Sequence, residues 1–270
     1  MPDRLHRKIA EGREAEIFAW GDEAVLRLLR NPNAQPQIEW EAAAMRAAAG
    51  AGVRVPAVIE VTTVDGRPGL IMERIEGIDM LTVVGKQPWQ VFAVGAASGR
   101  IQAGLHGVPA PEQIPPMHTV MRGRIERQGA MSNDLRSFAL SVLAGLPEDD
   151  KLCHGDLHPG NIMRTADEPV IIDWTNATRG DPIADYVRTR LMLRMGSIPA
   201  GAPLVIRYGA KVARGLMLSS YERAYRKARP IDDALAQRWE IAVAATRIAD
   251  GIESEVPKLI ALLEKARAAT

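Results

Sequence analysis

The run His154-Gly155-Asp156-Leu157-His158-Pro159-Gly160-Asn161, followed by Ile171-Ile172-Asp173-Trp174, offers a carboxylate, a carboxamide and a second carboxylate at a useful spacing. Asp156 and Asn161 stand five positions apart. That spacing is the one used to orient a hydroxyl and hold a magnesium-bound triphosphate. The chemistry such a set could perform is phosphoryl transfer to an alcohol. Asp156 falls in a loop bounded by Gly155 and Pro159, where backbone geometry can project a side chain into a cleft. A carboxylate there can accept the hydrogen bond of a substrate hydroxyl, orient its oxygen and take its proton late in transfer. Asn161 and Asp173 are hard oxygen ligands suited to Mg²⁺. An isolated Asp beside Gly and Pro would read as a turn residue. The Asn, the Ile162-Met163 pair after it and the later Asp reverse that reading.

A different chemistry would make His154, Asp156 and His158 a metal-hydrolase cluster. Pro159 and Gly160 argue against the helix that would put both imidazoles on one face, and no further His-rich segment supplies ligands. The other histidines are His6, His106 and His118. His154 is therefore expected to hydrogen-bond the loop backbone. Cys153 reads as buried packing.

These groups need elements to hold them. Ile17 to Trp20 and Ala24 to Leu29 read as strands joined by Gly21-Asp22. Alanine-rich Glu39 to Ala49 reads as a helix stopped by Gly50 and Gly52. Val53 to Val61 and Leu70 to Met72 read as further strands, with Asp65-Gly66 a hairpin turn. Residues 1 to about 75 thus give strands plus one helix. Alternation puts Val25 and Arg27 on one strand face, where the cation could meet phosphates and Val25 could cover a base. Glu41 on the helix could pair with Arg27. Gly12 marks a weak phosphate loop. Backbone groups of Glu73 and Ile75, leaving the Leu70 to Met72 strand, could read an adenine edge. Met163 joins this nucleotide-binding set.

Pro88 to His106 and Arg122 to Leu146 read as long helices, separated by a proline-rich loop from Val108 to Met117. Val170-Ile171-Ile172 is a short buried strand ending at Asp173. Everything beyond Asp181 reads as helix, with Ile241, Ala245, Ile248 and Ile252 an apolar stripe.

Apolar residues make up 47% and charged residues 25%, as in ordinary globular proteins. A net charge of +1 argues against a nucleic-acid footprint. The single cysteine forbids an internal disulfide and fits a reducing compartment. Met1 to Arg13 is basic without an apolar stretch, and no apolar run reaches the ~18 residues of a membrane helix. Together these predict a cytoplasmic protein with no membrane or nucleic-acid partner.

The sequence from about Lys8 to about Leu193 resembles the aminoglycoside phosphotransferase and choline kinase-like family. The resemblance rests on the two motifs above, on Gly180-Asp181-Pro182-Ile183-Ala184-Asp185, on Leu105-His106 and on Ile71-Met72-Glu73. It implies an α+β, two-lobed protein-kinase-like fold: a small antiparallel-sheet lobe with one helix (1–75) and a larger, mainly helical lobe (76–270). It implies Asp156 as catalytic base, Asn161 and Asp173 as Mg²⁺ ligands, and Arg27 with Glu41 as the small-lobe ion pair. Asp185 becomes a structural acid holding the catalytic loop, and Met72 lines the back of the base pocket. Three positions depart from the family pattern. Arg27 stands where lysine is common, the Gly12 loop lacks the usual Ser and Asn, and Thr175 follows Trp174 where an acid is frequent.

The expected co-substrate is ATP or GTP, and the acceptor an aminoglycoside-like antibiotic or other hydroxylated metabolite. The competing expectation is a kinase-fold nucleotide-binding regulator with little turnover. Asp232, Asp233, Glu240, Asp250, Glu253 and Glu255 make an acid-rich C-terminal region that would suit a polycation. They alternate with Arg238, Arg247 and Lys258, which favours an ordinary solvated surface. Aromatic residues, at 4%, are scarce for a cage around a quaternary ammonium.

Overall fold

The computed structural model describes residues 7–196 and 204–269. Residues 1–6 of the basic N-terminal segment, His6 among them, lie outside the described residues. Strands β1 (Lys8–Glu11), β2 (Ala15–Trp20), β3 (Ala24–Leu29), β4 (Val58–Val64) and β5 (Arg67–Glu73) form one antiparallel sheet in the order β1-β2-β3-β5-β4. Val25 pairs with Met72, so both point to the same side. The β4–β5 turn is Asp65-Gly66, with φ of 50° and 73°. Two positive φ values fit a tight hairpin whose twist matches its strands.

Helix α1 (Gln35–Gly50) packs on this sheet through Ile38, Ala42, Met45 and Ala48. It starts before Glu39 because Pro36 sits in the first turn, where its missing N–H costs nothing. The expected strand from Val53 begins only at Val58. Pro56 has no N–H to give a ladder there.

The remaining chain is mainly helical. It opens with β6 (Ile78–Asp79) and α2 (Met80–Lys86), a helix the sequence reading missed. Asp79 caps it, accepting from Thr82 N at 2.8 Å. Next come α3 (Val91–Leu105), α4 (Met117–Arg127) and α5 (Asn133–Ala144). Pro88–Gln90 is a short 3-10 turn rather than the start of α3. The helix expected from Arg122 to Leu146 is two helices. Gln128 is extended, and Ser132 caps α5 by accepting from Leu135 N at 3.3 Å.

Short strands β7 (Lys151–Cys153), β8 (Ile162–Arg164), β9 (Val170–Ile171) and β10 (Thr178–Gly180) frame the segments that carry Asp156, Asn161 and Asp173. Helices α6 (Pro182–Met195), α7 (Leu204–Ala228), α8 (Asp233–Ile248) and α9 (Val256–Ala268) close the chain. The expected stripe through Ile252 is corrected. Helix α8 ends at Ile248, Gly251 turns the chain at φ 70°, and the buried face runs through Trp239, Ala242, Val243 and Ala245.

Helices α3 and α7 approach closely because Gly95 and Gly99 have no side chains. A Cβ on either would lie 2.4 Å from the carbonyl oxygen of Met217 or Tyr221. Gly99→Ala should therefore push α7 outward and cost about 1–3 kcal/mol. Chemical denaturation measures it; an unchanged midpoint would contradict this packing.

Candidate active site

The loop after β7 is held from beneath by one buried carboxylate. Asp185, in the first turn of α6, accepts from His154 N at 3.1 Å through Oδ2 and from Gly155 N at 2.9 Å through Oδ1. His106 Nε2 lies 3.0 Å from Oδ2, and Gln102 Nε2 donates to it at 3.0 Å. Burial alone would raise the Asp185 pKa, but the hydrogen bond from His106, with the favourable electrostatic surroundings and the Gln102 hydrogen bond, brings it down to about 2. Gly155 must be glycine here: φ is 77°, and a Cβ would fall 2.1 Å from Asn176 O.

His154 is a scaffold residue, as expected. Its Nε2 lies 3.0 Å from Ile172 O, and its Nδ1 accepts from Asp156 N at 3.2 Å. It thereby ties the Asp156 loop to the Asp173 segment. Both nitrogens are occupied, so a metal cluster on His154 and His158 is not supported. His158 Nδ1 accepts from Gly160 N at 3.0 Å. Cys153 is buried, and burial pushes its thiol pKa well up. His106, Cys153 and Asp185 lie close together, yet His106 is already spent on Asp185 and on Tyr225 Oη at 2.6 Å.

Asn161 leaves a 3-10 turn facing Asp156. Its Nδ2 donates to Asp156 O at 2.9 Å and reaches Asp156 Oδ2 at 3.4 Å, while its backbone oxygen accepts from Ile172 N at 3.0 Å. Among the described residues no group donates to Asn161 Oδ1. Asp173 has φ 61°, a left-handed conformation uncommon outside glycine. Such local strain clusters at functional sites.

From the sheet side, Arg27 Nη1 stands 3.2 Å from Glu41 Oε2. The two atoms are buried and poorly aligned, so neither completes a hydrogen bond. The other arm, Nη2, donates to Thr175 Oγ1 at 2.8 Å, and Thr175 Oγ1 donates to Asp173 Oδ1 at 2.7 Å. Thr175 therefore joins Arg27 to Asp173 across the two lobes. The sequence marked Thr175 only as a departure.

All the residues expected to bind nucleotide line one cavity of about 760 Å³: Gly12, Val25, Arg27, Glu41, Met72, Glu73, Ile75 and Met163. Asp156 and Asp173 line it too. Asn161 does not; it is buried behind Asp156. At Glu73 the backbone contribution narrows to one group. Its N–H is taken by Ala57 O at 2.9 Å and its carboxylate by Arg54, which leaves only its carbonyl for a base.

A second cavity, of about 230 Å³, adjoins the first and shares Glu14, Thr175 and Asn176 with it. Arg188 borders it, contacting Gly155 O, Asp156 Oδ1 at 3.5 Å and Asp250 Oδ2 at 3.1 Å. Sequence reasoning missed Arg188 and Arg124. Their partners lie 32 or more positions away, beyond any local pattern.

The family model described as the phosphotransferase enzyme family matches residues 6–231. No curated protein sequence matches the chain significantly. Among solved structures, a thermostable mutant of aminoglycoside phosphotransferase APH(4)-Ia, in ternary complex with ADP and hygromycin B, superposes with a TM-score of 0.66 at 15% identity, covering 96% of this chain and 92% of that one. The amicoumacin kinase hAmiN, in complex with AMP-PNP, Ca²⁺ and Ami, gives 0.63 at 16% identity over 97% and 87%. The GDP and kanamycin complex of APH(2")-IIia gives 0.57 at 16% identity over 98% and 93%. These likenesses establish the two-lobed, protein-kinase-like fold expected from the motifs.

Glu41 gives this site a pH signature. Burial, opposed by Arg27 and reinforced by Asp173, lifts its pKa from 4.5 to about 7. Between those values the folded protein keeps a proton that the unfolded chain has released. Stability should therefore fall as pH rises from 4.5 to about 7, and level off above. Glu41→Gln should flatten that slope in thermal melts across the range; an unaltered slope would contradict the assignment.

Proposed function

The chain belongs to the phosphotransferase enzyme family, and on that premise we propose that it transfers the γ-phosphoryl group of ATP or GTP to a hydroxyl of a small molecule, an aminoglycoside-like antibiotic or another hydroxylated metabolite. One observation carries this reading: Asp156, Asp173 and Arg27 line a single cavity, and Asn161 is bonded to Asp156. Residues 1–75 bind the nucleotide; residues 76–270 supply the catalytic loop, the metal ligands and the acceptor pocket.

In this mechanism Val25 and Met72 cover the base from one sheet face. The Glu73 carbonyl and the Ile75 N–H read its edge. Arg27 reaches the phosphates from the same face, and the Gly12 turn covers them. Its fork contacts phosphate differently from a lysine ammonium. Asp156 accepts the hydrogen bond of the acceptor hydroxyl and aims its oxygen at the γ-phosphorus. As the new oxygen–phosphorus bond forms, the bond to the β–γ bridging oxygen breaks, and the hydroxyl proton passes to Asp156. Arg188 holds Asp156 in place. Positioning and electrostatics supply most of the acceleration.

The donor set fits Mg²⁺. Asn161 Oδ1 and the Asp173 oxygen not bonded to Thr175 receive no donor among the described residues, and both are hard ligands. The ion would neutralise charge on the β- and γ-phosphates. Thr175 fixes the Asp173 carboxylate and so presets its free oxygen. A single cysteine and the use of a nucleoside triphosphate support action in the cytoplasm. Among the described residues no helix is long and apolar enough to cross a membrane.

Asp156→Asn should lower turnover by about 10²–10⁴-fold while nucleotide affinity, read by calorimetry, is kept. Parallel loss of both would count against the base assignment, and nucleotide binding without turnover in the unmodified protein would favour the regulator. Thr175→Val should raise the Mg²⁺ concentration for half-maximal nucleotide binding about tenfold, with Thr175→Ser restoring it. Equal behaviour of the two variants would remove the hydroxyl from the account.

A further inference from the structure

The 230 Å³ cavity beside Asp156 has walls unsuited to a polycation. Its apolar side is Trp40, Met117, Val120, Met121 and Val243. Its charged rim is mostly arginine: Arg124, Arg127 and Arg188. Asp250, the shared partner of the arginines beside the cavity, is taken by Arg124, by Arg188 at 3.1 Å and by Arg247 at 3.4 Å. Arg247 is itself held by buried Glu255 at 2.6 Å. Asp185 is spent on the loop backbone. Glu14, on the lip, accepts from Gln37 at 3.0 Å.

An ammonium group entering this space would face three guanidinium groups and, among the described residues lining it or its mouth, no uncommitted carboxylate besides the lip Glu14 and Asp156, which is needed for the reacting hydroxyl. An anion meets the opposite situation. Arg127 is exposed at the rim and has no acidic partner among the described residues. Arg124 is partly desolvated, and burial pushes its pKa below the ordinary value even against the pull of Asp250. A second anion near Arg124 would relieve that burial cost.

We propose that the acceptor is a small alcohol with an apolar body and an anionic group, the anion read by Arg127 and Arg124 and the body seated on Met117, Val120, Met121 and Trp40. This rests on the phosphotransferase reading and narrows its acceptor away from polycationic aminoglycosides. Three further acids of the C-terminal region are engaged as well. Asp233 pairs with Arg226, Glu240 with Arg194, and Asp232 caps α8. They are not an open anionic surface for ammonium groups.

The test is a matched series on one skeleton: 4-(hydroxymethyl)benzoate, 4-methylbenzyl alcohol and 4-(aminomethyl)benzyl alcohol, with kanamycin as the polycation. Binding to the full chain is read by ligand-observed NMR without nucleotide, and Mg·ATP binding is read separately by calorimetry. The expected order is carboxylate tightest, neutral alcohol next, amine and kanamycin weakest. Arg127→Glu, a surface change whose folding is checked by its melt, should weaken the carboxylate at least about tenfold and erase the preference. Tighter binding of the amine or kanamycin, no charge preference at all, or no effect of Arg127→Glu would overturn the proposal. Failure of Mg·ATP to bind would instead overturn the phosphotransferase reading, whatever the acceptor order.

Discussion

Everything at this site depends on one buried carboxylate accepting two consecutive backbone N–H groups. Asp185 takes His154 N and Gly155 N on separate oxygens, and those bonds fix the direction in which the chain leaves β7. A buried ionised carboxylate is costly unless every lone pair is used. Here His106 and Gln102 complete the set, and Tyr225 and Tyr221 hold those two residues in turn. The Tyr pair comes from α7, which reaches α3 only because Gly95 and Gly99 permit it. The helical packing and the aim of Asp156 are thus parts of one constraint.

The second coupling runs between the lobes. Arg27 belongs to the sheet and Asp173 to the helical side, and the Thr175 hydroxyl lies between them. The buried Arg27–Glu41 contact is electrostatic rather than well hydrogen-bonded, so Thr175 supplies the directional contact to Arg27. An incoming phosphate group would compete for the same arm. A nucleotide held by Arg27 would therefore be linked through Thr175 to the orientation of the Asp173 carboxylate.

The sequence made much of this legible, for physical reasons. Asp156, Asn161 and Asp173 sit near each other along the chain, so their spacing reports their geometry. Val25 and Arg27 follow strand alternation, and Asp65-Gly66 is a turn pair with a specific backbone requirement. Less was legible where partners are remote. Thr175 looks like a mere departure until Arg27 arrives from 148 positions away. Arg188 is one basic residue among many until Asp156 and Asp250 meet it. The C-terminal acids read as an ordinary solvated surface alternating with nearby basic residues, whereas Asp233, Glu240 and Asp250 pair with arginines from other helices. The helix breaks at Gln128 and Gly251 each lie between two helical runs, and the glycines that mark them, Gly129 and Gly251, are single residues easily outweighed by those runs.

The account stands on oxygen ligands from two segments meeting at one divalent cation next to a nucleotide. Mn²⁺ in place of Mg²⁺ makes that directly observable by electron paramagnetic resonance and ³¹P double resonance with ADP bound. The account predicts one tightly bound Mn²⁺ coupled to nucleotide phosphorus, with the signal lost or strongly altered in both Asp173→Ala and Asn161→Ala. An unchanged spectrum in both variants would contradict it.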